Sequence, residues 1–363
     1  MEVNQLYIAG TGLVSAIGGT TAMNWCSFNA DINGYTQSNY RTQDFSPVKL
    51  ALIPEEYFDH LPEAVQLGPQ TSMRHTRILL AAHCAIQEAL AGNKAFTLSN
   101  IPLVQACPNL LPVDASFNKR LRKNLIALSG EKQTPDDNQG FYHTLNTGRS
   151  AVIEGIELAF KLFDTGKPKF VLVGGADSFD DPSAIKILDQ MQRLNSESSN
   201  NGFCPGDGAA YILLTSEKEH ALRKGNKCVA LSRPSVGFEE GHLHSKLPYK
   251  GEGLAGCFRE LLQSLASEAK INTLYSSMNG EQFWAKEYGV AFIRNQQYFD
   301  DKLVLQHPAD CYGDLGAACG GALTILASQD LLHRQKNDSC LLYSSSDHGY
   351  QAATILKSES IDV

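Results

Sequence analysis

The sequence predicts an α/β protein made of two similar halves. Three observations carry this: short β-branched runs alternate with longer helical stretches, the second half repeats the rhythm of the first, and glycines punctuate the apolar runs. Leu6–Ala9 opens as a strand, Gly10 and Gly12 follow as a turn, and a helix is expected near Ala22–Asn29. Arg74–Ala91 has apolar residues at helical spacing, with Gly92 as its stop. Leu103–Ala106 reads as a strand and Ser150–Phe163 as a largely apolar helix closed by Gly166. Phe170–Val173 is a buried strand ending at Gly174-Gly175, Asp207–Thr215 a further strand, and Ser216–Gly225 a short charged helix. The second half then gives a strand at Cys228–Leu231, a helix at Gly256–Lys270, a strand at Thr273–Ser277 and a helix at Glu281–Val290. It closes with Leu303–His307, the helix Gly316–Leu332, and strands at Ser339–Ser345 and Ala352–Lys357. The halves are divided at residues 1–217 and 218–363, within the polar stretch after Thr215.

Composition narrows the function. The chain of 363 residues carries 31 Lys+Arg against 39 Asp+Glu, a net −8, which argues against a nucleic-acid partner. No run of about 18 apolar residues is present to span a membrane. The N-terminus has Glu2 and no basic stretch, so no secretory signal is expected. Nine cysteines lie at irregular intervals with no CxxC pair, which predicts reduced thiols in a cytoplasm and neither disulfides nor a metal site. Gly10-x-Gly12 lacks the third glycine and acidic ribose partner of a dinucleotide loop, so no cofactor is expected.

Four blocks, in order along the chain, give it a relative. Tyr7–Gly18 (YIAGTGLVSAIG), Gly148–Ser178, Phe203–Leu214 (FCPGDGAAYILL) and Cys311–Ala322 (CYGDLGAACGGA) together resemble the β-ketoacyl synthases of the thiolase-like superfamily. The resemblance implies a five-layer αβαβα fold, a dimer, and a site built from one cysteine and two histidines. In that chemistry a thiolate at a helix N-terminus takes an acyl chain, and the histidines assist decarboxylation and hold the oxyanion.

The residues needed for it are replaced. Ungapped matching puts Arg149 in the cysteine place, and arginine is no nucleophile. Asn279 stands for the first histidine, in Met278–Glu281, and Gly313 for the second. Pro308 takes the place of the upstream lysine, and Asp347 that of the gating phenylalanine. Acids have arrived at Glu281, Asp314 and Asp347, so a buried Arg149 is expected to be held by at least one of them, in a polar network that plugs the former pocket. The alternative is an Arg149 that reaches solvent beside unrelated loop acids.

Two substitutes for the lost nucleophile are weighed. Cys204 and Cys311 fall near the expected pocket, with His307 and His348 close in sequence; small buried packing residues are the plainer reading of both thiols. Lys119, Arg120, Arg122 and Lys123 form the densest basic cluster, either a dock for an acidic carrier protein or a solvated helix face. Asn279–Val290, with Phe283, Trp284 and Tyr288, is a helix packed on the core or a partner surface. The resemblance thus implies a catalytically inactive adaptor or scaffold. Its Asn-Gly-Glu and His-Pro-Ala-Asp-Cys-Tyr-Gly-Asp segments resemble short ketosynthase-like proteins encoded beside type VI secretion effectors. Competing expectations are a chain-length-factor subunit and an active acyltransferase. Partners are a second copy or related subunit, a carrier protein or a secretion effector.

Overall fold

The computed structural model describes residues 3–58, 72–92, 97–109, 117–129, 141–196, 199, 201–265, 270–334 and 338–361, without side chains at 117–119. The first half contains β1 (Gln5–Ser15), α1 (Thr21–Asn29), the pair β2 (Thr36–Arg41) and β3 (Pro47–Leu50), α2 (Met73–Leu90), β4 (Leu103–Ala106) and α3 (Phe117–Leu128). It continues with β5 (Tyr142–Leu145), α4 (Ala151–Asp164), β6 (Phe170–Ser178), α5 (Pro182–Gln190) and β7 (Asp207–Thr215). The second half contains β8 (Lys227–Ser232), β9 (Ser235–Phe238), α6 (Gly253–Gln263), β10 (Ile271–Ser276), α7 (Gln282–Asn295) and β11 (Phe299–Gln306). It closes with α8 (Ala309–Tyr312), α9 (Cys319–His333), β12 (Ser339–Ser345) and β13 (Tyr350–Ser360).

The two halves share one strand order. The first runs β5-β4-β6-β7-β1 and the second β11-β10-β12-β13-β8, so counted within each half both read third, second, fourth, fifth, first. Orientations match too: the outer two pairings are parallel and the inner two antiparallel in each half. β1 pairs with β8, Leu6 opposite Leu231, and joins the halves. Helices α4 and α9 lie between and touch both half-sheets, while α2 with α3, and α6 with α7, cover the outer faces. These are the five layers of a thiolase-like fold. The central core joins Ile153, Ile156 and Phe160 of α4 to Leu323, Ile325 and Leu326 of α9.

Several predicted elements change on folding. β1 runs straight through Gly10 and Gly12, where a turn was expected. A Cβ at either glycine would fall within about 2 Å of the α2 backbone at Ala89 or Ala85, so the glycines allow close helix packing. β6 likewise continues through Gly174-Gly175 to Ser178, and Ser216–Gly225 holds one short helical turn, Lys218–His220. The strand after α4 is β6; it is buried and paired on both sides, to β4 and β7, so the dimer that the resemblance implies does not form by adding a strand there. Among the described residues, β5 is the outermost strand of the first half-sheet.

Candidate functional site

The site forms where the central helices begin. Arg149 lies in the helical turn Gly148–Ser150 before α4, and Asp314 precedes the matching turn Gly316–Ala318 before α9. Asn279 and Glu281 come from the loop entering α7, and Asp347 from the turn between β12 and β13. Four loops from both halves therefore meet at one point.

Arg149 is buried and fully engaged. Its Nη1 donates to Asp314 Oδ2 at 2.6 Å, Nη2 to Asp347 Oδ1 at 2.6 Å, and Nε to the Ser345 carbonyl at 2.9 Å. The guanidinium also lies over the Trp284 ring, 4.3 Å from its centre. A cation at a helix start opposes the helix dipole, and two carboxylates offset that cost. Burial disfavours charge on Asp347, yet Arg149 and then Arg193 outweigh it and hold its carboxyl well below the usual range.

Arg193 was not expected from the sequence. Glu281 grips it by two oxygens, at 2.7 and 2.8 Å, and Arg193 Nη1 also donates to Asp347 Oδ2 at 2.5 Å. Asn279 links the two groups, donating to Asp314 at 2.7 Å and Glu281 at 3.2 Å, and Trp284 Nε1 donates to Glu281 at 2.9 Å. Thus Arg149 is held by Asp314 and Asp347, while Glu281 serves Arg193. Arg193 sits in a polar stretch with no motif around it. The one available signal was electrostatic: three acids converging on a single cation called for a second.

Gly313 does not occupy the site. Its φ is +75°, and a Cβ there would strike the Cys204 carbonyl at 2.7 Å, away from Arg149. The neighbouring Asp314 supplies the side chain that enters the pocket. The space left among Asn109, Arg149, Asp177, Phe179, Arg193, Phe203 and Asp347 is about 20 Å³, room for about one water. An acyl chain does not fit.

The substitute nucleophiles stay apart. Burial pushes the Cys204 thiol up to about 12, and burial with Asp310 pushes Cys311 to about 11, so neither provides a thiolate at neutral pH. His307 Nδ1 lies 3.0 Å from Ser276 Oγ, which is buried. No described hydrogen bond joins Cys311 to either histidine. His348 stands on the exposed rim instead, its ring centre 5.1 Å from His244. Among the described residues, Glu217, Glu219 and His220 have ligand atoms within 4.8 Å of one another, but they are largely exposed and outside this site.

In the basic cluster, Lys119 has no described side chain, Arg120 is half-buried, Arg122 stacks over Tyr142 at 5.2 Å, and Lys123 is exposed. Trp284 is buried, so the α7 segment packs on the core. Among the described residues, no helix is long and apolar enough to cross a membrane.

Comparison with known proteins defines the class. Residues 135–220 match the family described as β-ketoacyl synthase, N-terminal domain. The chain has the thiolase-like ketosynthase fold. It overlays the ishigamide ketosynthase/chain length factor with a TM-score of 0.74 at 16% identity, over 99% of this chain and 100% of that one. The ketosynthase from module 6 of the bacillaene synthase of Bacillus subtilis 168 gives 0.75 at 12% identity, over 98% of this chain and 72% of that one. The ketosynthase ApeO in complex with its chain length factor ApeC, from Xenorhabdus doucetiae, gives 0.69 at 14% identity, over 99% and 98%. No curated protein matches the chain in sequence.

Proposed function

We propose that this protein is a non-catalytic ketosynthase-like subunit that works by binding a protein partner. One observation carries the reading: the place where this chemistry needs a nucleophile and an acyl tunnel is filled by a buried Arg149–Asp314–Asp347–Arg193–Glu281 network with room for about one water. A guanidinium cannot carry an acyl group, and a space of about 20 Å³ has no room for one.

Assembly with a related subunit or a second copy is part of the proposal. β5 ends its half-sheet and has a partner on one side. Leu103 N donates to the Phe141 carbonyl and Cys107 N to the Leu145 carbonyl, so by strand alternation Thr144 turns its backbone groups away from β4. The similar solved structures include a ketosynthase in complex with its chain length factor, which supports a heterodimer. The secretion-associated role is the finer reading, since a chain length factor is expected to keep more of an acyl pocket than this chain does. It rests on the Asn279-Gly280-Glu281 and His307–Ala318 segments.

Intact-mass spectrometry after incubation with acyl-carrier or acyl-CoA thioesters tests the central claim. No adduct is expected. A stoichiometric acyl group on any cysteine overturns it. Recovery of tagged protein from its own cells tests the partner: a related subunit or effector supports the reading, and a bare monomer counts against it.

A further inference from the structure

One buried acid beside the plug has no ion pair among the described residues. Asp177, Asp207, Glu281 and Asp314 are each ion-paired with an arginine, and Glu239 receives backbone N–H groups from Gly241, Lys250, Glu252 and Gly253. Glu287 has neither. It lies on the inward stripe of α7 with Trp284, Ala291 and Asn295, almost wholly buried. Its carboxyl oxygen Oε1 accepts from Gln351 Nε2, while Gln351 Oε1 is buried with no partner. Turning that amide over presents Oε1 to the carboxyl. A proton on Glu287 is then donated to Gln351 Oε1, which gives that oxygen the partner it lacks.

We infer that Glu287 is a proton-operated latch: as a neutral acid it keeps α7 docked on the arginine plug, and its ionisation releases α7. The helix is the part that matters, because Trp284 one turn earlier covers Arg149 and Glu281 at its start grips Arg193. The groups facing Glu287 are Arg149 from the turn before α4, Glu239 after β9, Tyr249 in the following loop, Cys257 of α6 and Tyr343 of β12, with Ser345 and Gln351 as polar neighbours. Burial pushes Glu287 up to about 7; Ser345, Gln351 and Arg149 pull against it, and Glu239 adds to it. The ordinary value is 4.5, so the stability tied to the neutral form is complete below that and lost as pH rises through about 7. Ionised Glu287 repels Glu239 and competes with Asp314 and Asp347 for Arg149. The latch stands whether or not the protein has a partner.

Difference infrared spectroscopy reads the proton directly in the wild-type protein. A carboxylic-acid band is expected at pH 6 that fades as pH passes 7 and is missing from E287Q. Hydrogen exchange of the α7 amides, corrected for intrinsic rate, should lose about tenfold protection between pH 6 and 8.5 in the wild type and little in E287Q. No protonated-acid band at pH 6, or α7 protection that does not change with pH, overturns the latch even if E287Q fails to fold.

Discussion

The two halves repeat one strand order yet put equivalent places to different use. At the start of its central helix the first half presents the cation Arg149, and the second half answers with the carboxylate of Asp314. At the outer edge, β5 is half-buried with no Asp, Glu, Lys or Arg, while β11 carries Asp300, Asp301 and Lys302, mostly exposed. Charges on an edge strand discourage pairing with another chain. A duplicated scaffold has thus become electrostatically complementary at its seam and asymmetric at its rims. Inward, that links the halves; outward, it leaves one described edge strand without carboxylates, lysine or arginine and charges the other.

The seam predicts the largest effect. Replacing Arg149 with Met leaves Asp314 and Asp347 short of a cation, and should lower unfolding stability by about 3–5 kcal/mol in urea titration. Arg193→Met should cost a similar amount, and the double variant less than the sum, because both arginines serve Asp347. An unchanged midpoint for Arg149→Met would mean the seam is not held electrostatically.

The rims predict an effect on assembly. Thr144→Pro removes an outward N–H and should weaken self-association or subunit pairing by about tenfold in analytical ultracentrifugation, since proline blocks strand addition. Lys302→Pro on β11 should leave assembly unchanged, because the Lys302 N–H already donates to the Asp300 side chain. Equal effects at both edges would break the contrast.

The smallest effect is the acid limb. Asp347 titrates below the ordinary carboxylate range when folded, so its contribution is present above about pH 4 and is lost as pH falls below it. Asp347→Asn should be less stable than the wild type at neutral pH, and the gap should begin to narrow as pH falls from about 4 to about 3. A constant gap would show that the aspartate acts by shape and not by charge.

The elements most legible in the sequence were those whose pattern is local. β4 and β7 fall at their expected residues, and α2 and α4 within one or two, because continuous apolar runs and helical spacing report burial directly. β5 and β9, four residues each, carried too little periodicity to be seen. The glycines misled because Gly10 and Gly174 read as turns in one dimension, while in three they make room for a helix or a facing ring.

The sequence by itself determined that arginine and not cysteine stands at residue 149, and that acids stand at residues 281, 314 and 347. Residue identity settles such matters, since arginine cannot be acylated wherever it lies. Only the tertiary structure decided how the charges pair. Arg193 lies 44 residues from Arg149 in the chain, and Asp347 is shared between them through contacts 198 and 154 residues apart. Electrostatic partners are chosen by distance in space and by exclusion of water, and neither is written in local pattern. The same holds for Glu287: an ordinary helix glutamate in the sequence, it is pushed up to about 7 because the fold buries it without an ion-paired cation.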